Sequence, residues 1–125
     1  MEIYIRDAST DAVLHWLKDT FDAVEQIRDE PAVQVAITGA DETSYTAQIT
    51  RNVEGGPWTS VWFESGATDW DSVTACARSA FQAIDQETLC YPDRFADEPW
   101  KMLRLHPDEG ESFVDERTVD FSGMR

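Results

Sequence analysis

The sequence predicts one α+β domain, in which a mainly antiparallel sheet of five to six strands carries two helices on one face. Two observations predict this class. Several short runs alternate apolar and polar residues, as half-buried strands do, and two longer segments repeat apolar residues at helical spacing. No internal repeat or linker divides the 125 residues, which are enough to bury one core. The predicted order of elements is β-α-β-β-β-α-β-β.

The first strand and the first helix are predicted at the N-terminus. Residues 2–6, EIYIR, alternate between polar and apolar side chains. Ser9 and Thr10 offer N-caps for a helix whose apolar stripe continues to about Arg28. Pro31 is expected to end that helix, because proline has no amide hydrogen to donate.

Three further strands are predicted as a meander over residues 33–38, 44–53 and 58–64, where apolar and polar side chains again alternate. The pair Gly55-Gly56 predicts a hairpin loop between the last two of these strands. These three strands are therefore expected to lie side by side in the sheet.

The predicted strand at 58–64 has large side chains on both of its faces. Trp58 and Trp62 lie on one face, and Val61 and Phe63 lie on the other. Either set could form the core, and a strand covered on both faces also fits the pattern. If the helices cover one face only, one aromatic set is left near solvent.

The second helix is predicted to begin at Thr68 and to end at Ile84. Thr68 is the expected N-cap, and Asp71 completes a capping box three residues later. Asp69 and Asp71 would lie at the positive end of the helix dipole, so capping accounts for both carboxylates.

Short strands at 88–91 and 100–106 are predicted to complete the sheet. Residues 1–106 then make up the α/β domain. Residues 107–125 are acidic and carry few apolar side chains, so we expect an acidic C-terminal tail or an arm that covers an edge of the sheet.

Charge is the most unusual feature of the composition. Asp and Glu number 25 against 10 Lys and Arg, which gives a formal net charge of −15. This balance disfavours direct binding of nucleic acid, which depends on basic residues that neutralise phosphates. It suits a basic protein partner, because complementary potentials steer association. A cytosol of high salt, or a codon usage that disfavours Lys, would produce the same balance without any partner.

No targeting segment or reactive site is predicted. The N-terminus does not resemble a signal peptide and no apolar run is long enough to cross a membrane, so we expect a cytoplasmic protein. His15 and His106 have no nucleophile at a catalytic spacing, and enzyme activity is not expected. Cys76 and Cys90 match neither a redox pair nor a zinc site, which predicts buried, reduced thiols. No metal or cofactor is predicted.

One predicted sheet face combines aromatic with short uncharged polar side chains. Tryptophan and tyrosine in a polar surround are typical of binding hot spots, so protein contact is predicted there, with a second copy or with a different partner. The alternative is that Trp58 and Trp62 are covered by the C-terminal tail or by the first helix. The residues predicted to share this face are Tyr4, Gln34, Thr38, Thr46, Gln48, Thr50, Trp58, Ser60 and Trp62.

The run WTSVWFESGATDWDSVTACARSAF, followed by LCYPD and EPWKMLRL, resembles small bacterial proteins of the polymorphic-toxin immunity kind. The resemblance covers residues 57–105. It implies a short, acidic, cytosolic α/β protein that binds and blocks a secreted toxin domain, often a nuclease whose cleft is built for phosphate. No catalytic motif and no functional residue is carried over from that family.

The leading hypothesis is a protein-binding inhibitor that acts by steric and electrostatic blockade of a basic partner such as a toxin domain. The residues predicted to make the contact are Trp58, Trp62, Glu64, Asp69 and Asp71. Two alternatives stay open: a salt-adapted, homo-oligomeric protein of unknown role, with a homodimer as its simplest form, and a DNA mimic that occupies a nucleic-acid-binding protein.

Overall fold

The structure is a computed structural model that describes residues 1–39, 42–64, 70–92 and 97–123. Within these ranges the chain forms two α-helices and eight strands. They are β1 (Glu2–Arg6), α1 (Thr10–Thr20), β2 (Ala23–Arg28), β3 (Val33–Thr38), β4 (Ser44–Thr50), β5 (Trp58–Phe63), α2 (Val73–Ile84), β6 (Thr88–Cys90), β7 (Lys101–His106) and β8 (Gly110–Asp115).

The strands belong to one sheet with the order β2-β3-β4-β5-β1-β6-β7-β8. Each neighbouring pair is antiparallel, so the predicted α+β class and antiparallel sheet are confirmed. The predicted count of five to six strands is wrong, because the sequence pattern places β2 within the first helix and β8 within the tail. The observed order is β-α-β-β-β-β-α-β-β-β.

The first helix is shorter than the sequence predicts. It begins after the N-cap Ser9, whose hydroxyl accepts a hydrogen bond from the Ala12 amide at 3.1 Å, and it ends at Thr20. Residues 23–28 then form β2 and pair with β3. The three-residue spacing of Phe21, Val24 and Ile27 imitates a helical stripe, but the Ile27 side chain is 59% exposed and therefore belongs to no core. The predicted helix end at Pro31 is also wrong, since this residue lies between two strands.

The second helix begins later than predicted. Ser72 is its N-cap, and the Ser72 hydroxyl accepts a hydrogen bond from the Ala75 amide at 3.1 Å. Asp71 therefore precedes the helix, and the first turn contains no acidic residue. The predicted cap Thr68 and the neighbouring Asp69 lie outside the described residues.

The predicted tail contains a strand. Residues of β8 pair with β7 along its whole length, from Lys101 opposite Asp115 to His106 opposite Gly110. Gly110 closes this hairpin with a positive φ of 75°, a conformation that glycine adopts without steric cost. Alternation does not reveal the strand because its apolar residues, Phe113 and Val114, are adjacent and point to opposite faces.

The main core lies between one face of the sheet and both helices, as predicted. Trp16 of α1 is at its centre. The Trp16 ring stacks on Trp70 at a centroid distance of 5.5 Å and meets Phe63 edge-on at 6.1 Å, while its indole N–H donates to the Ser79 hydroxyl of α2. Cys76 is buried in the same core as a thiol, and burial raises its pKa above the ordinary value.

Candidate functional site

The sheet face turned away from the helices, here called the outer face, carries the aromatic and uncharged polar residues that the sequence predicted to share one face. Strand register places them together. Gln34 is opposite Gln48, Gln48 is opposite Trp62, and Tyr4 is opposite Ser60. Because paired residues of antiparallel strands point to the same side, these side chains share one face, as the sequence predicted.

The C-terminal residues 116–123, here called the covering segment, lie over one half of the outer face. Phe121 packs against Tyr4 and Trp58, with ring centroids 5.0 Å and 5.7 Å away. Trp58, Leu89 and Met102 thereby form a second, smaller core. The Trp58 side chain is only 3% exposed. Its role in a partner contact stays a prediction, and such a contact would require the covering segment to move.

The other half of the outer face is not covered by the described part of the chain. Trp62 lies there and is 40% exposed. On one side it is flanked by the glutamine pair, in which the Gln34 amide donates to the Gln48 side-chain oxygen at 3.2 Å. On its other side, across the β5–β1 pair, lies Glu2. The two tryptophans of β5 therefore differ: Trp58 serves packing, and Trp62 is available at the surface.

Two carboxylates border Trp62, and neither forms an ion pair among the described residues. Glu2 accepts hydrogen bonds from the Tyr4 hydroxyl at 3.0 Å and from the Ser60 hydroxyl. Glu64, one of the predicted contact residues, accepts from the Thr46 amide at 3.0 Å. Their hydrogen-bond partners are neutral donors, and the positive charge at this edge is the N-terminal ammonium of Met1, which donates to the Phe63 carbonyl oxygen at 3.3 Å.

The remaining predicted contact residues do not join this group. Asp71 is exposed and follows Trp70, whose ring lies 5.5 Å from Phe63 in the main core, so Asp71 belongs to the helix side of the sheet. Asp69 lies outside the described residues. Of the five predicted contact residues, the structure brings Trp62 and Glu64 together on the uncovered half of the outer face.

Sequence reasoning missed Glu2 and Tyr91. Tyr91 directly follows β6, where Cys90 is opposite Ile3, so the same register brings Tyr91 beside Glu2. The Tyr91 hydroxyl donates to the Glu116 carboxylate. Burial, this hydrogen bond, and the charges of Glu116 and Glu2 raise the pKa of Tyr91 to about 12. The signal that could have found Tyr91 is its alternation with Leu89, which places both on the outer face.

Most basic residues near this face already have acidic partners. Arg104 binds Glu87 at 2.5 Å and also pairs with Glu109, while Arg6 lies 3.6 Å from Glu87. Arg117 pairs with Asp115 at the edge of the sheet. A cleft of about 370 Å³ beneath the covering segment is lined by Arg6, Glu87 and Arg104. Both of its guanidinium groups pair with the carboxylate of Glu87.

The contacts of the two histidines lie within the fold and not at a reactive site. His15 lies 3.3 Å from Asp19 one turn along the exposed side of α1. His106 accepts hydrogen bonds at Nδ1 from the Asp108 and Glu109 amides, which shapes the β7–β8 turn. The described residues contain no group of three or more side chains suited to hold a metal ion.

The described helices are also too short and too polar for either to cross a membrane. Comparisons of the chain with protein-family models, with curated proteins and with solved structures return no match. The function is therefore argued from the surface of the molecule.

Proposed function

We propose that this protein is a small acidic binding protein, of the inhibitor or immunity type, that blocks a basic protein partner. The observation that carries the proposal is the uncovered half of the outer face. There Trp62 is exposed between a glutamine pair and the carboxylate of Glu2. A large aromatic side chain in an uncharged polar surround, next to unneutralised carboxylates, has the composition of a binding hot spot for a cationic surface.

Charge supports a basic partner. The chain has a formal net charge of −15, and Arg6, Arg104 and Arg117, which lie near the covered half of the outer face, are paired with carboxylates. A protein with this field attracts basic proteins and repels acidic ones, which favours fast and selective association. A cytoplasmic toxin domain that binds nucleic acid would have the complementary surface. Blockade would follow from covering that surface, without any reaction.

The size of the face limits the contact. Strands spaced about 4.8 Å apart and rising about 3.3 Å per residue make the uncovered half roughly 20 Å square. This is about half of the 800 Å² per partner that a stable interface buries. The contact would therefore extend past the strand ends, toward Glu64 on one side and Tyr91 on the other.

Coexpression with the neighbouring open reading frame tests the proposal. The wild-type protein should be recovered with that partner and should restore growth if the partner is toxic. Trp62→Ala should lose both effects. Phe113→Ala is the matched control. Phe113 is an exposed aromatic residue of β8, 43% accessible, and it lies on the helix side of the sheet, opposite to the outer face. Recovery of no partner, or equal loss in both variants, would contradict the proposal.

A salt-adapted homo-oligomer is the second candidate, and the spread of carboxylates favours it. Exposed acidic residues are found on α1, at the end of α2 and in the β7–β8 turn, away from the uncovered half of the outer face. They include Asp11, Asp19, Asp85, Asp108 and Glu109. Such a protein should gain stability steeply as KCl rises toward molar concentration, because salt screens the repulsion between carboxylates. A flat dependence of the unfolding midpoint on KCl would exclude this candidate.

A further inference from the structure

We propose that Glu2, Trp62 and Tyr91 form a cleft that receives one arginine side chain of the protein partner. This inference rests on the proposed function and adds to it the chemical group that the surface recognises. The cleft, here called the arginine cleft, would have an aromatic residue on each flank and the Glu2 carboxylate, which is held by the Tyr4 and Ser60 hydroxyls, as its hydrogen-bond acceptor.

The order of the strands creates this arrangement. Glu2 of β1 lies directly opposite Trp62 of β5. On the other side of β1, the pairing of Ile3 with Cys90 places Tyr91 next to Glu2. Two strand spacings of about 4.8 Å separate the backbones of Trp62 and Tyr91, so these residues are about 10 Å apart with Glu2 on the strand between them. That gap admits one planar group in contact with an aromatic ring.

The Glu2 carboxylate is held in place by neutral groups. One oxygen accepts from the Tyr4 hydroxyl at 3.0 Å, and the other accepts from the Ser60 hydroxyl. A carboxylate has about four acceptor positions, so about two remain for a guest. Among the described residues, no lysine, arginine or histidine forms an ion pair with Glu2. The carboxylate is thus oriented without being neutralised.

The surroundings favour a cation over a neutral guest. Glu116 accepts from the Tyr91 hydroxyl and adds a second negative charge near the cleft. The nearest arginines do not compete for Glu2, since Arg6 and Arg104 pair with Glu87. An incoming positive charge would therefore meet a carboxylate that forms no ion pair with a described side chain.

Arginine fits this chemistry better than lysine. A guanidinium group is planar, stacks on an indole ring and donates two parallel hydrogen bonds to a carboxylate. It is also more weakly hydrated than an ammonium group, so it loses less on entering a cleft with apolar walls. Trp62 would supply the stacking surface and Glu2 the acceptor.

Peptide titration followed by NMR tests the cleft without the natural partner. The probe is acetyl-Gly-Arg-Gly-amide, and its neutral control is the same peptide with citrulline, which keeps the shape but not the charge. The indole N–H signal of Trp62 is assigned from its loss in Trp62→Phe. We expect the arginine peptide to shift this signal and the citrulline peptide to leave it in place.

Variants locate the effect. Glu2→Gln should lower the affinity for the arginine peptide about tenfold, because a charge-assisted hydrogen bond is lost. Glu25→Gln is the matched control, since it makes the same change of charge on the same face but on β2 at the far edge; it should leave the affinity unchanged. If Glu2→Gln loses its dispersed spectrum, Trp62→Leu replaces it, with the backbone amide signal of Glu2 followed in place of the missing indole signal, and should weaken binding of the arginine peptide similarly.

Equal binding of the arginine and citrulline peptides, or equal effects of Glu2→Gln and Glu25→Gln, would overturn the inference. A lysine peptide that binds as tightly as the arginine peptide would also contradict it. If the partner depends on Trp62 in coexpression while no peptide shifts its signal, the cleft is refuted and the proposed function stands. If the peptide binds and no partner is found, the cleft stands and the proposed function does not.

Discussion

Phe121 of the covering segment meets Trp58 of β5 edge-on, with ring centroids 5.7 Å apart and ring planes inclined at 68°. The same phenyl ring lies 5.0 Å from Tyr4. A residue from the last turn of the described chain therefore closes the second core over the middle strands. Because Trp58 is the largest residue in that core, the covering segment should contribute measurably to the stability of the domain.

Phe121→Ala should destabilise the protein by about 2 kcal/mol. This is less than the roughly 3 to 5 kcal/mol typical of a fully buried phenylalanine, because Phe121 is only partly buried. Urea unfolding measures the loss. Phe113→Ala, which removes an exposed ring, should cost under about 1 kcal/mol. Equal losses in the two variants would mean that the covering segment does not stabilise the second core.

Gly56→Ala should displace the covering segment. A Cβ atom at Gly56 would lie 1.8 Å from the Phe121 carbonyl oxygen, and this oxygen belongs to the backbone and cannot rotate away. The φ of Gly56 is −97°, so the effect is a clash and not backbone strain. We expect the Trp58 indole N–H signal to shift and the stability to fall by about 1 to 3 kcal/mol.

Gly55→Ala is the control for this clash. Gly55 has a φ of +77°, and a Cβ atom there would have no neighbouring atom within 4 Å, so alanine introduces strain alone, about 1 kcal/mol. It should leave the Trp58 signal unchanged. A similar spectral change in both variants would show that the loop conformation, and not the contact with Phe121, controls the covering segment.

Trp62→Ala should separate binding from stability. Trp62 is 40% exposed and lies outside both cores, so its removal should change the free energy of unfolding by less than about 1 kcal/mol while partner binding is lost. Trp16→Ala should instead destabilise by about 3 to 5 kcal/mol, since Trp16 is buried in the main core. A large loss of stability in Trp62→Ala would show that this residue is structural.

Asp115 should contribute to the acid sensitivity of the β8 edge. Its hydrogen bonds from the Arg117 side chain and from the Arg117 amide lower its pKa from 3.8 to about 2. A depressed folded-state pKa stabilises the protein above the unfolded-state pKa, and this stabilisation is lost as the pH falls from 3.8 toward 2. Urea midpoints measured across this range should decline less in Asp115→Asn than in the wild type. Parallel declines would argue against a contribution from this carboxylate.

The pattern of neighbouring residues was sufficient to predict several elements of the fold. The strand at 33–38 and the start of the first helix at Ser9 are as predicted, because alternation and a capping hydroxyl are signals contained in neighbouring residues. Local pattern failed at β2, where Phe21, Val24 and Ile27 have the spacing of a helix. Pairing with β3 provides the backbone hydrogen bonds of this segment. The residue pattern within 23–28 contains no signal for that pairing.

The C-terminal segment shows the same limit. Its sequence is acidic and poor in apolar residues, which predicts a tail, yet β7 offers an unpaired edge that β8 completes. The candidate site depends on the same kind of information. Its members come from β1, β5 and the end of β6, and only the strand order brings Glu2 between Trp62 and Tyr91.

By itself, the sequence determined the α+β class, the antiparallel character of the sheet, the acidic charge and the shared face of Trp58 and Trp62, since alternation and composition are local properties. The tertiary structure decided which of these tryptophans is covered. Both project from the same strand in the same direction, but the covering segment returns over Trp58 and not over Trp62. Burial depends on contacts between residues distant in the chain, and those contacts are created only when the sheet and its last segment are assembled.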